Sequence, residues 1–301
     1  MIPEWLPPAL AYLSVVVFAT GVAARAAKYA RAPMHVRWEL YPVPHEQGKE
    51  YGGSYFEEVD WWTHPRKISL WAEIKAMLEE ILLIRSVWYH NRSHWYASFP
   101  FHFGIYLLLG LVVLLALGAA LEPAAGQDSA LWAGWSGLTV LIGVAGLALA
   151  NLGALALLWR RLAGSDLRVG STFSDYFNLL FILAVFASAG FAWATVDPTF
   201  ALLRGYLRGL LTFSPVAGAP PAVVAEVTIT ALFAIYLPFT HMTHFVAKYF
   251  TYHHVRWDDT PALGDVKAAE RMMSNLQRPV DWAAPHIQTG SSWAEVATEV
   301  R

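Results

Sequence analysis

Residues 99–121 read FPFHFGIYLLLGLVVLLALGAAL. No Asp, Glu, Lys or Arg interrupts the run. About 20 mostly apolar residues are enough to carry a helix through the hydrocarbon core of a bilayer. One ionisable side chain, His102, stands three residues in from Phe99. Four further charge-free runs qualify: Trp5 to Ala24, Ser129 to Trp159, Tyr176 to Val196 and Val227 to Ala247. None alternates polar and apolar residues as a membrane strand does. The expected fold is an all-α integral membrane protein with five transmembrane helices, amphipathic interfacial helices and a cytoplasmic tail.

Composition agrees. Of 301 residues, 56% are hydrophobic and 15% charged, against about 25% charged in ordinary soluble domains. Mean hydropathy is +0.39. The net charge of −2 does not point to nucleic acid. There is no cysteine. That excludes disulfides, thiolate-held iron–sulfur clusters, Cys-ligated zinc and covalent c-type haem. Any redox cofactor must be held by other ligands.

Lys and Arg set the expected orientation. Ten lie in residues 25–92, three in 160–168 and six from Lys248 onward, while Arg204 and Arg208 alone lie on the other side. The basic side is expected to be cytoplasmic, with the N-terminus outside a bacterial inner membrane. The first run carries Glu4 before it and Arg25, Lys28 and Arg31 after it, the reverse of a signal peptide, so it is expected to be a retained anchor. Residues 1–255, with the insertion 25–98, form the expected membrane domain, and 256–301 an extended cytoplasmic tail. Pro42, Pro44, Gly52 and Gly53 make 32–67 turn-rich. Residues 68–90 and 198–213 have helical amphipathic spacing.

Of eleven histidines, His102, His241 and His244 fall inside spanning runs. An ionisable group there is a functional candidate. His102 lies near the basic end of the second run and His244 near the basic end of the fifth, at matching depth. Two neutral imidazoles facing each other across a bundle can hold a six-coordinate haem b. Arg92, His94, Lys248 and Arg256 are candidate propionate partners at that depth. His241, Asp175, Tyr176 and Glu226 are candidates for quinone or proton handling. No catalytic residue is assigned. Gly104 and Gly110, and the glycines of the third run, would admit either a flat macrocycle or a close helix; for the third run close packing is expected. Transport is disfavoured by the lack of an inverted repeat. A haem-free membrane anchor for a cytoplasmic enzyme is the alternative.

Phe101-His102-Phe103-Gly104-Ile105, with Pro238-Phe239-Thr240-His241-Met242-Thr243-His244, resembles the gamma subunit of respiratory nitrate reductases over about residues 1–255. That resemblance implies a five-helix cytochrome b. The family holds two haems with four histidines. His102 and His244 match one pair. The other pair would stand at Val112 and Glu226, which implies a single haem b here.

Three further segments are similar to the cytochrome b subunits of sulfate-reducer redox complexes. They are Arg37-Trp38-Glu39-Leu40-Tyr41-Pro42-Val43-Pro44-His45-Glu46, then Tyr51 to Tyr55 and Asp60-Trp61-Trp62, and finally Lys248 to His253 with Arg256 to Asp259. This similarity implies a cytoplasmic iron–sulfur partner related to the heterodisulfide reductase catalytic subunit, and electron exchange with menaquinone.

Overall fold

The computed structural model describes residues 3–32, 46, 59–60, 63–65, 67–126, 129–214, 218–255, 266–285 and 287–298. Most of 32–67, including nearly all of the motifs at 37–62, and Arg256 lie outside the described residues. The described chain is helical, with three isolated β-bridges. Five helical segments are long and apolar enough to cross a membrane: Leu6–Arg31, Arg92–Glu122, Ala130–Ala163, Phe173–Thr195 and Pro221–Phe239.

In chain order the helices are α1 (Leu6–Arg31), α2 (Leu70–Leu83), α3 (Arg85–His90), α4 (Arg92–Ala125), α5 (Ala130–Ala163), α6 (Ser165–Val169), α7 (Phe173–Thr195), α8 (Ala201–Leu211), α9 (Pro221–Tyr236), α10 (His244–Val255), α11 (Val266–Leu276) and α12 (Trp293–Thr298). The chain divides into two units, residues 1–20 with 78–242 and residues 21–77 with 243–301.

In the first unit α4 and α5 pack along their lengths, α5 packs on α7, and α7 on α9. Small residues permit the closeness of the first pair. A Cβ on Gly104 would sit 2.8 Å from Cα of Ala150, and one on Gly153 would overlap the backbone of Phe101. These glycines serve helix contact rather than a cradle for a cofactor. Leu111, Leu115, Leu147 and Phe200 form one buried cluster; Ala150, Ala154, Leu179 and Phe186 form another.

Two expectations on helix extent change. The fifth span does not continue to Ala247. After Tyr236 the chain makes two short 3₁₀ turns, Leu237–Phe239 and His241–Thr243, before α10 starts at His244. Pro238 lacks an N–H, and its ring would clash with a preceding carbonyl in a continuous helix. Thr240 between the turns is extended, at φ −111° and ψ 171°. His241 and His244 therefore lie beyond the spanning helix. The amphipathic run 68–90 is likewise two helices. It breaks at Ile84, which sits in the left-handed region at φ 50° and ψ 50°, an uncommon place for a β-branched residue. The second amphipathic segment, 198–213, contains α8, as its spacing indicates.

In the second unit Arg271 of α11 donates to the carbonyls of Ala32 at 2.7 Å and Ala30 at 3.2 Å. A cation at the C-terminal carbonyls of α1 offsets the negative helix end. The 256–301 segment, read as extended, thus contains α11 and α12. Val280 and Ile287 are buried within it.

Candidate functional site

The basic end of the first unit gathers most of the candidate residues. Helix α4 starts there because Asn91 accepts a hydrogen bond from the His94 amide at 3.0 Å, an N-cap. Further along the same helix is His102. Its Nδ1 lies 2.8 Å from the Ser98 carbonyl and 3.3 Å from the Ser98 hydroxyl. A carbonyl only accepts, so Nδ1 carries the hydrogen and Nε2 is the basic nitrogen. That is the tautomer an iron ligand needs, oriented by the helix that bears it. The donor chemistry of His102 fits an axial haem ligand. Val112, where the resemblance looks for a second ligand, is 54% exposed on the outside of the bundle. His244 is the first residue of α10, in the second unit.

Of the propionate candidates, the Arg92 guanidinium lies over the Trp88 ring at 4.3 Å. Lys248 is on α10 and half-buried. Trp88, Trp95, Tyr96 and Phe99 pack edge-on or stacked around the start of α4.

Two of the quinone or proton candidates meet. His241 Nε2 lies 3.4 Å from Asp175 Oδ1. The other oxygen of Asp175 accepts from the Thr172 amide at 2.7 Å and the Thr172 hydroxyl at 2.8 Å, capping α7. The same Nε2 lies 3.4 Å from Asn178 Nδ2. Asn178 is only 4% exposed, and its Oδ1 accepts from the Tyr236 hydroxyl at 2.7 Å. The result is a polar chain, Asp175–His241–Asn178–Tyr236, running from the start of α7 into the bundle. Asn178 and Tyr236 were not singled out from sequence. An Asn within a span is itself a signal, because an amide in hydrocarbon needs partners. Tyr176 points elsewhere, donating to the Arg161 carbonyl at 3.2 Å.

Glu226 lies at the opposite end, on α9, where Asp197 is a charged neighbour. Asp197 accepts from the amides of Leu202 at 3.0 Å and Leu203 at 2.8 Å, which serves the first turn of α8. Arg204 of α8 is 6% exposed, 3.5 Å from Glu122 and 4.7 Å over the Trp132 ring. Sequence reading did not bring these groups together either.

No curated protein and no solved structure matches the chain. A family model does. It covers residues 85–258, a segment that holds His102, His241 and His244 together with four of the five spanning helices. The chain belongs to the nitrate reductase gamma subunit family, membrane haem b subunits of hetero-oligomeric respiratory redox complexes.

Proposed function

We propose that this chain passes electrons between a menaquinone-type pool and a cytoplasmic iron–sulfur subunit related to the heterodisulfide reductase catalytic subunit. A single haem b is held by His102 and His244, with Arg92, His94, Lys248 and Arg256 toward its propionates. The observation that carries the reading is the Nδ1–H bond of His102 to the Ser98 carbonyl, inside the family match. It presents a basic nitrogen in a helix otherwise free of charge over residues 99–121.

Haem b bound there supplies one-electron redox chemistry. The chain's own residues do the rest. Ser98 keeps His102 in one tautomer and one orientation. The basic side chains near the start of α4 and on α10 balance carboxylates at the aqueous boundary. The basic side faces the cytoplasm in this reading, so an iron–sulfur partner docks there. The tail and the cytoplasmic segment 32–98 provide its surface.

A reduced-minus-oxidised spectrum with a pyridine haemochrome assay on the purified protein tests this. One haem b per chain is expected. His102→Ala and His244→Ala should each lose the α-band, and His241→Ala should keep it. A wild-type chain without that band would make it a haem-free membrane anchor instead. Loss of the band in His241→Ala alone would move the ligand to His241.

A further inference from the structure

Helix α2 ends before the family match begins at residue 85. The last four carbonyls of any α-helix have no partner within the helix. Where a helix ends in water, the solvent serves them. In α2 two of them are served by side chains of a spanning helix. The Tyr106 hydroxyl of α4 donates to the Ile81 carbonyl at 2.7 Å. The Trp95 indole N–H, also on α4, donates to the Leu83 carbonyl at 2.7 Å. Tyr106 gains from the same bond the partner that a hydroxyl at membrane depth needs.

The two donors fix the depth of the end of α2. Trp95 and Tyr106 are about three helical turns apart, about 16 Å along α4, and so share one face. Phe99, where the charge-free run starts, stands between them. Trp95 stacks on Phe99 at 4.5 Å, and Phe99 on Phe103 at 5.5 Å, which makes that face an aromatic stripe. The end of α2 is therefore level with the first turns of the charge-free run.

The apolar side of this end is open. Leu78, Ile81 and Leu82 are all exposed, and their spacing of three and four residues puts them on one side of the helix. On α4, Leu109 and Val113 stand one and two turns past Tyr106 and are exposed as well. In a spanning helix that surface meets lipid, and the apolar side of α2 continues it. The charges at this end are matched within it. Glu79 pairs with Arg85, and Glu80 accepts from the Ser86 amide at 2.8 Å. A face so balanced suits acyl chains rather than anionic headgroups.

We infer that the C-terminal half of α2 is a monotopic anchor sunk into the acyl layer of the leaflet at the basic end. Leu78, Ile81 and Leu82 lie against lipid chains, and Tyr106 and Trp95 hold the helix end at that depth. The partner is the uncharged interior of the leaflet, so binding draws on apolar area and not on headgroup charge. The rest of segment 32–98 is left to a docking subunit. Neither haem nor quinone enters this inference.

The chain has no cysteine, so one introduced thiol carries a nitroxide label at a single position. The test uses the full chain in lipid nanodiscs. It compares collisions of the label with oxygen, which concentrates among acyl chains, and with a water-soluble nickel chelate. Leu78→Cys and Leu82→Cys should favour oxygen, as Leu109→Cys on the span does. Their oxygen-to-nickel ratio should be at least fivefold above that of Gln288→Cys in the tail, and equal in zwitterionic and anionic discs. Tyr106→Phe added to Leu82→Cys leaves the Ile81 carbonyl without its donor, and the ratio should fall at least twofold as the helix end rises toward water.

Nickel-dominated collisions at both positions would put this face in water and overturn the anchor. Labels shielded from both reagents would overturn it too, by showing protein over the face. A ratio that climbs only in anionic discs would move the contact to the headgroups. An unchanged ratio with Tyr106→Phe would overturn the role of that bond in setting the depth.

Discussion

The two ends of the first unit's bundle handle buried polarity differently. At the opposite end, charged side chains hold helix termini and neighbouring helices. Asp197 accepts from two backbone amides, and Arg204 is held by Glu122 and the Trp132 face. At the basic end, His241 Nε2 has an acceptor on one side and a donor on the other. The first arrangement locks α8 and α4 together. The second gives one ring nitrogen both a carboxylate and an amide as neighbours. Burial and charge alone therefore do not distinguish the two ends; the identity of the partners does.

Arg204→Leu tests the scaffold side of this contrast most strongly. Breaking a buried charge pair by removing one member costs about 3 kcal/mol. Unfolding in mixed detergent with sodium dodecyl sulfate should show that loss. Quinone-analogue binding by the folded fraction should be unchanged. Lost binding with normal stability would reverse the roles of the two ends.

Glycines sharpen the contrast next. At the basic end a Cβ on Gly153 would strike the Phe101 backbone, whereas at the other end a Cβ on Gly118 would meet the Trp135 indole nitrogen at 2.9 Å and Arg204 Cδ at 3.2 Å. Side chains can give way where backbone cannot. Gly153→Ala should cost about 2 kcal/mol and Gly118→Ala under about 1 kcal/mol. Equal costs in the same unfolding titration would mean that α4 and α5 yield as easily as a side chain.

Tyr236→Phe removes the hydrogen bond to Asn178 and should cost about 1 kcal/mol, because a buried acceptor is left unserved. Combined with Asn178→Leu, it should cost less than the sum of the singles. Strict additivity would show that the two side chains do not act through each other.

The five spans were legible because a charge-free apolar run of bilayer length is stable in little else but lipid. The end of the fifth was not. Pro238, Thr240 and His241 carry no fixed charge, so a criterion based on charge runs straight through the break that Pro238 makes. The kink at Ile84 has no local signature, since neither Gly nor Pro stands there. His241 and Asp175 could each be picked out as an ionisable group near a helix end. Their meeting could not, because 66 positions separate them and the fold of α7 against the end of α9 brings them together. Tyr236 and Asn178 had no motif at all. Their pairing is a product of packing between two helices that look uniformly apolar.

The smallest expected effect is a gain. The Tyr206 hydroxyl on α8 is buried, the residue being 5% exposed, and it has no hydrogen-bond partner among the described residues. Burial pushes its phenol above the ordinary range, and neighbouring Tyr12 adds to the shift. The raised phenol pKa makes a destabilising contribution that is absent below the usual tyrosine pKa of about 10 and grows as pH rises toward the folded value. The sign follows from proton counting: above pH 10 the folded chain binds more protons than the unfolded one, so unfolding is favoured as pH rises. Tyr206→Phe removes both the orphan hydroxyl and that alkaline loss. At neutral pH it should stabilise by up to about 1 kcal/mol, and its unfolding midpoint should fall less than that of the wild type on moving to strongly alkaline buffer. A destabilised variant would mean that the hydroxyl is bonded in the assembled complex. Polarity at this end would then serve a partner as well as the scaffold.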